Sequence, residues 1–276
     1  MANNADVTYI LTGSEKDCSL LEEAARQIMN MPQAPGWLGY MNCFIYPEQR
    51  PLYTFHSWAD DRENTVRYPF WDCRGTIEDV QSVCPLNDSV ERRAGLTHFV
   101  TLHCDEAWLA HSEVVHYFAR KFNCRMNYMC VEPGCQVYEL HDPDRVFNAK
   151  WFVNMNCTGA GELYQDMSAE DLKEDPDQIW PAPFLKYLEE NDIELTEHNL
   201  CEVIDEFDNY LQEIDETGNL SASAGEFDHS NWDDFDDEVP SLESVIEKNI
   251  EKKIQEQERK RAIKNLLVNN SNNTNA

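Results

Sequence analysis

The pattern of hydrophobic positions between residues 96 and 155 predicts a small sheet with one helix packed on it. Leu96 to His103 alternates well enough to predict a half-buried strand. From Val114 to Phe122, apolar residues recur at three- and four-residue steps, which predicts a helix with one apolar stripe. Further strands are predicted over residues 125–131, 136–140 and 147–155. We expect four large side chains to meet between sheet and helix: Trp108, Phe118, Phe122 and Trp151. This order of elements indicates an α+β fold, with a helix on one face of an antiparallel sheet.

The N-terminal third contains the same kinds of element. Val7 to Thr12 predicts a strand, and Ser14 is placed to cap the helix that follows it. Thr76 and Asp79 resemble a capping box at the start of a short helix that runs to Val83. Further strands are predicted over residues 38–46, 52–58 and 66–70.

Acidic residues are concentrated in one third of the chain. The formal net charge is -30 over 276 residues, and residues 161–250 contain 28 Asp or Glu against 3 Lys. A chain this acidic is not expected to bind nucleic acid through phosphate contacts or to approach an anionic membrane, because both need Lys and Arg. We expect a protein partner with a basic surface, or a partner that the chain engages by imitating a polyanion.

Pattern and charge together divide the chain into segments. The predicted segments are an α+β domain over residues 1–160, an acidic helical subdomain over 161–216, a flexible acidic linker over 217–240, an amphipathic helix over 241–268 and a disordered tail over 269–276. Within the subdomain, residues 183–188 and 200–211 are apolar enough to predict two acidic helices packed on the sheet domain.

An acidic run with aromatic residues at the end of the linker is the predicted partner-binding segment. Its residues are Trp232, Asp233, Asp234, Phe235, Asp236, Asp237 and Glu238. We expect the two aromatic side chains to anchor on a partner while the carboxylates steer a basic surface towards them. Two other interpretations stay open, a solvated tail and a DNA mimic that inhibits a nucleic-acid-binding host complex.

Several motifs in the first 180 residues resemble those of a known family. They are Leu11-Thr12-Gly13, Trp71-Asp72-Cys73-Arg74-Gly75-Thr76, the strand end from Phe99 to Trp108, the helix residues Phe118 and Phe122, and the turn Glu132-Pro133-Gly134. On these residues the chain resembles a ferredoxin-like domain of unknown function that phages and conjugative plasmids encode. The resemblance implies a ferredoxin-like antiparallel sheet with helices on one face and an origin in a mobile element. It brings no catalytic residues with it.

The ten cysteines are expected to be reduced thiols without a bound metal. The N-terminus lacks the basic and apolar regions of a secretory signal, so we expect the cytoplasm of the host cell. Cys124, Cys130 and Cys135 lie close in sequence but lack the tight Cys-x-x-Cys pairs of structural zinc sites. If residues 125–131 form a strand, the first two lie at its opposite ends, about 20 Å apart.

A Cys–His nucleophile would need a partner from elsewhere in the fold. His103 cannot activate Cys104, because adjacent residues of a strand face opposite ways. His98, His116 and His141 stay open as spatial partners, while His111 and His116 do not share a helix face well.

The remaining chemistry in the sequence is not specific. Carboxylate pairs such as Asp105-Glu106 and Glu189-Glu190 are expected by composition in a chain with 52 acids. The phosphate-binding patterns Gly-x-Gly-x-x-Gly and Gly-x-x-x-x-Gly-Lys do not occur. We therefore expect a non-enzymatic protein that binds a protein partner, possessing no cofactor and no membrane segment. A DNA mimic and a cysteine- or metal-dependent enzyme stay as alternatives.

Overall fold

The computed structural model of the protein describes most of the chain between residues 4 and 228. The described residues are 4–30, 38–47, 75–86, 96–157 except 108, 133, 135 and 148, 163–215 except 169, 174 and 175, 219–228, and isolated positions between 240 and 259. The elements within them are β1 (Asn4–Gly13), α1 (Glu15–Met29), α2 (Met41–Ile45), β2 (Gly75–Val80), β3 (Cys84–Pro85), β4 (His98–Ala107), α3 (Ser112–Lys121), β5 (Arg125–Glu132), β6 (Val137–His141), β7 (Trp151–Asn156), β8 (Leu163–Met167), α4 (Pro176–Ile179), α5 (Ala182–Glu190), α6 (Leu200–Ile214) and β9 (Ser221–Glu226). The chain is therefore a mixed α/β protein, as predicted.

The first sheet has the strand order β2-β4-β1-β5-β6, and every neighbouring pair in it is antiparallel. The short strand β3 pairs with the beginning of β4. The central strand β1 pairs with β4 along its whole length, from Asn4 opposite Ala107 to Gly13 opposite His98. Because β4 lies between β1 and β2, and β1 lies between β4 and β5, the segments that contain α1 and α3 each cross over one strand.

Alternation along β1 determines which face of this sheet the helices cover. Ala5, Val7, Tyr9 and Leu11 are buried, whereas Asp6 on the opposite face is exposed. The helices α1 and α3 bury their apolar stripes against the covered face, through residues that include Cys18, Leu21, Ala25, Ile28, Val115 and Phe118. The predicted cap is confirmed, since the Ser14 hydroxyl accepts a hydrogen bond from the Asp17 backbone N–H at 3.2 Å. Each buried Phe, Leu or Ile contributes about 1.5–3 kcal/mol to this core.

A second sheet has the order β8-β7-β9 and packs its own helices. Trp151, Val153 and Met155 on one face of β7 join a core with the apolar stripes of α5 and α6. Phe152 on the other face joins a separate core with residues of β5 and β6. Neighbouring residues of β7 therefore face two different cores.

The two sheets contact each other through side chains and backbone. Met129, Val131 and Leu140 of the first sheet pack with Phe152 and Phe227 of the second. Backbone hydrogen bonds continue the contact, because the Asp228 N–H donates to the Tyr138 carbonyl at 2.7 Å. Around β5, β6 and β7, the chain therefore stacks helices, sheet, sheet and helices.

A buried polar network holds the connection between β6 and β7 on the face of the first sheet opposite α1 and α3. Asp144 accepts hydrogen bonds from the Thr12 hydroxyl at 2.8 Å and the Asn127 amide at 3.2 Å. Arg125 lies 3.1 Å from the same carboxylate. Thr12 and Asn127 are fully buried, so these bonds replace the water that both polar groups lose on folding.

The strand predicted over residues 38–46 is wrong. Residues Leu38–Tyr40 form a 3-10 turn, and Met41–Ile45 form α2. Leu38, Met41 and Ile45 are all buried, and their spacing is helical. In a short run that is apolar on every side, periodicity alone does not separate a strand from a helix.

The short helix predicted from Thr76 is also wrong, because these residues form the edge strand β2. A bulge between Ile77 and Asp79 shifts the register against β4. Ile77 and Val80 therefore both face the core although they are three residues apart. This spacing imitated the period of a helix.

The second sheet corrects three further expectations. Strand β7 belongs to this sheet, so Trp151 packs against α5 and α6 rather than with Phe118. The two acidic helices exist, but they pack on the second sheet. Ser221–Glu226, part of the predicted flexible linker, forms β9 along β7. The predicted strands over residues 52–58 and 66–70 and the side chain of Trp108 lie outside the described residues, as does most of the predicted helix over 241–268.

Candidate functional site

The exposed side of α6 carries a stripe of carboxylates. The buried stripe of this helix consists of Leu200, Val203, Ile204, Phe207 and Leu211. On the opposite side, Glu202, Asp205, Glu206 and Glu213 are exposed. A helix places residues three and four positions apart on one face, so these carboxylates are held on one side by the burial of the other.

The end of α5 and the loop that leads to α6 carry further exposed carboxylates. Residues 182–215 contain eleven Asp or Glu and one base, Lys186. Nine of these acids are exposed and are here called the acidic face: Glu189, Glu190, Asp192, Glu194, Glu197, Glu202, Asp205, Glu206 and Glu213. Among the described residues, lysines pair with two of these nine carboxylates: Lys186 is 3.5 Å from Glu190, and Lys150 is 3.3 Å from Glu197.

The other two acids of residues 182–215 have structural roles. Asp208 accepts a hydrogen bond from the Ala222 N–H at 2.8 Å, which ties α6 to β9. Asp215 accepts from the N–H groups of Asn219 and Leu220 at 2.6 and 2.7 Å and closes the turn after the helix. The acidic face therefore leaves out the two carboxylates whose hydrogen bonds hold α6 against β9 and close the turn after it.

The negative potential of this surface affects ionisable groups within it. Partial burial, and then the charge of Asp208, raise the pKa of the Asp205 carboxyl. Burial, and then the carboxylates of Glu226 and Asp205, raise the pKa of the Cys201 thiol. Both shifts favour the less negative form, mainly because burial disfavours a charged group and in addition because neighbouring carboxylates repel it.

A second candidate is Glu106, which is buried near the end of β4 beneath the helices. It is 1% exposed, and its carboxylate accepts a hydrogen bond from the His111 backbone N–H. Burial raises the pKa of the carboxyl to about 7, although the bond to His111 opposes the shift. The Tyr9 hydroxyl lies beside this carboxyl, and its interaction with Glu106 also lowers the pKa of the carboxyl. Burial, and then the Glu106 charge, raise the pKa of Tyr9.

The surroundings of Glu106 favour a structural role over catalysis. A carboxyl that titrates near neutral pH would suit a general acid or base. A Cβ at Gly75 would lie 2.9 Å from Glu106 Cγ and 2.8 Å from Leu38 Cδ1. The backbone of β2 therefore packs directly against this side chain and leaves no space for a substrate between them.

Cys104 does not form a Cys–His site with His103 in the part of the chain described. Cys104 is buried under the helices, while His103 faces the other way and contacts Thr8 and Gln81. Burial, and then the carboxylates of Glu106 and Glu78, raise the pKa of the Cys104 thiol, which disfavours the thiolate that a nucleophile needs. His141 stacks on Tyr128, with ring centroids 5.7 Å apart. Within the described ranges, no group of three or more His, Cys, Asp or Glu could hold a metal ion.

Sequence reasoning and structure overlap only in part at these sites. The predicted segment from Trp232 to Glu238 lies outside the described residues, so its role stays a prediction. The sequence predicts the acidic helices, whereas composition alone does not distinguish Glu106 from the other acids of the chain. The signal was its position, because Val100, Leu102 and Cys104 precede it at every second residue and are all buried.

Where the chain is described, none of its helices combines the length and the apolar character needed to cross a membrane. Comparison with family models, with curated proteins and with solved structures finds no match to this chain.

Proposed function

We propose that this chain is a non-enzymatic binding protein whose acidic face engages a protein partner with a basic surface. One observation carries the proposal, the exposed carboxylate stripe of α6, opposite a stripe that is almost fully buried. Carboxylates on such a helix keep their spacing without a partner, so little backbone conformational entropy is lost on binding. Their summed field attracts a cationic protein over several ångströms and raises the association rate.

The predicted segment from Trp232 to Glu238 supplies anchors in the same proposal. Carboxylates on the rim of an interface act mainly on association, whereas buried aromatic residues govern dissociation. The acidic face would steer the partner, and Trp232 and Phe235 would hold it.

A DNA mimic is the second candidate, because a rigid acidic helix is one of its requirements. The four exposed carboxylates from Glu202 to Glu213 span about 17 Å at 1.5 Å per residue. Duplex DNA carries about ten phosphates over that length, at one charge per 1.7 Å. Carboxylates from α5 and the following loop raise the density without reaching that of a duplex, so the protein-partner proposal is preferred.

The fold and the origin of the chain belong to the same proposal. The strand order β2-β4-β1-β5 and the two interleaved crossovers through α1 and α3 support a ferredoxin-like assignment of the first sheet. The origin in a phage or mobile element rests on the sequence resemblance alone. A fold of this type hosts many functions, so it does not identify the partner.

The test is affinity capture from the native host with three forms of the chain. The first is the unchanged chain, and the second carries Glu202→Gln, Asp205→Asn, Glu206→Gln and Glu213→Gln. The third is a matched control that removes four exposed carboxylates from the first-sheet layer, by Asp6→Asn, Glu23→Gln, Glu78→Gln and Asp79→Asn. We expect a defined basic protein to be captured by the first and third forms and lost from the second.

Two further measurements separate the binding modes. Duplex DNA added during capture should leave the partner bound if the acidic face recognises a protein surface, and should displace it if the chain is a DNA mimic. Trp232→Ala combined with Phe235→Ala should speed dissociation of the partner at any ionic strength. Equal capture by the neutralised and control forms would remove the basis of the proposal.

A further inference from the structure

Two buried thiols share the space above Gly13, where β1 ends and α1 begins. A Cβ at Gly13 would lie 2.9 Å from Cys124 Sγ and 3.4 Å from Cys18 Sγ. Both cysteines are fully buried. The missing side chain of Gly13 is therefore the space that lets the two sulfurs approach each other.

The register of the first sheet explains this arrangement. Thr12 pairs with Arg125 in neighbouring antiparallel strands, so the next pair along places Cys124 opposite Gly13. Cys18 is in the first turn of α1, where its N–H donates to the Ser14 carbonyl at 2.9 Å. The helix thus places the Cys18 sulfur over Gly13, and Gly13 is the strand neighbour of Cys124.

The surroundings shift the pKa values of the two thiols in opposite directions. A hydrogen bond from the Cys124 thiol lowers the pKa of Cys18, burial and the charge of Asp17 oppose the shift, and the Gly13 backbone assists it. The same contact, with burial, raises the pKa of Cys124. The first turn of a helix also stabilises a thiolate. Because Cys18 lies at the N-terminal end of α1, it is the attacking sulfur of the pair, and Cys124 is the resolving one.

We propose that Cys18 and Cys124 form a reversible disulfide when the chain meets hydrogen peroxide. The Cys18 thiolate attacks one peroxide oxygen, an S–O bond forms, the O–O bond breaks and hydroxide leaves. Cys124 loses its proton to that hydroxide and attacks the Cys18 sulfur, so an S–S bond forms and the S–O bond breaks. The second hydroxide takes up the proton that Cys18 released on ionising. In total, two thiols and one peroxide give one disulfide and two waters.

Cys104 and Cys130 provide a matched control pair within the same sheet. Both are buried on the covered face, and both pair with Val7, one from each side. Two inter-strand spacings of about 4.8 Å separate them, which is beyond the reach of a disulfide. Burial alone therefore does not predict a cross-link, whereas the position above Gly13 does.

The experiment treats the full chain with hydrogen peroxide and maps its cysteines after alkylation and digestion. At a peroxide dose that leaves the other thiols reduced, we expect in the monomeric fraction a peptide that links Cys18 to Cys124, a fall from ten to eight alkylated thiols, and return to ten after reduction. Cys18→Ser and Cys124→Ser should each abolish the linked peptide, whereas Cys104→Ser with Cys130→Ser should leave it. If a variant fails to fold, the presence or absence of the linked peptide in the unchanged chain still tests the proposal. Both thiols still alkylated after exposed Cys84 has reacted, or Cys18 oxidised without the link, would overturn the proposal.

Discussion

Replacing Glu106 by Gln should change how the stability of the chain depends on pH. Glu106 is 1% exposed, and burial raises the pKa of its carboxyl from an ordinary value of 4.5 to about 7. The groups around it are Tyr9 from β1, Cys104 and Asp105 from β4, Cys130 from β5 and the His111 N–H before α3. None of the side chains is a cation that would stabilise the charged form.

The sign of the effect follows from proton linkage. Between about pH 4.5 and pH 7 the folded chain holds a proton on Glu106 that the unfolded chain has released. The stabilising contribution of this carboxyl is complete below pH 4.5 and is lost as the pH rises through about 7. At about 1.36 kcal/mol for each pKa unit, the loss amounts to about 3 kcal/mol.

Glu106→Gln removes the charge and keeps an oxygen that accepts the His111 N–H. The variant should therefore lose that part of the pH dependence and be more stable than the unchanged chain above about pH 8, by at most about 3 kcal/mol. Urea unfolding followed by tryptophan fluorescence, repeated between about pH 5 and pH 8, measures the difference between the two proteins. Asp6→Asn, at an exposed position of β1, is the control and should leave the slope unchanged. Parallel curves for Glu106→Gln and the unchanged chain would refute the reasoning.

Three further changes test the packing. Phe118→Ala empties a fully buried position between α3 and the first sheet and should cost about 3–5 kcal/mol in urea unfolding, whereas a loss below about 1 kcal/mol would show that the helix face is misassigned. Gly225→Ala places a methyl group against the Tyr138 ring and should cost about 1–3 kcal/mol, and Tyr138→Leu combined with it should recover part of the loss. Asp144→Ala leaves Thr12 without its buried acceptor and should cost about 3 kcal/mol, while full stability of that variant would contradict the network.

The first sheet was predictable where alternation and helical spacing were regular. β1, β4, β5 and both long helices packed on them follow directly from these patterns. The sequence could not reveal the bulge in β2, because one extra residue changes the apparent period from two to three. It could not separate strand from helix over residues 38–46, because that run is apolar on every side.

The second sheet was harder to predict because its strands come from distant parts of the chain. β9 has the sequence Ser-Ala-Ser-Ala-Gly-Glu, whose small side chains have low strand propensity. It forms a strand because β7 offers it a full ladder of backbone hydrogen bonds and because Gly225 admits the Tyr138 ring. These are tertiary causes, and they leave no periodic signal in the segment itself. The acidic face, by contrast, follows from composition and helical spacing together.

The proposed role of the acidic face is tested most directly by the association rate of the captured partner. Stopped-flow measurements over a series of salt concentrations would compare the unchanged chain with the form that lacks the carboxylates of residues 202, 205, 206 and 213. At low ionic strength we expect association to slow about tenfold or more in that form, and the difference to shrink as salt screens the charges. The control form, without Asp6, Glu23, Glu78 and Asp79, should associate at nearly the unchanged rate. Equal rates for all three forms at low salt would contradict recognition through the acidic face.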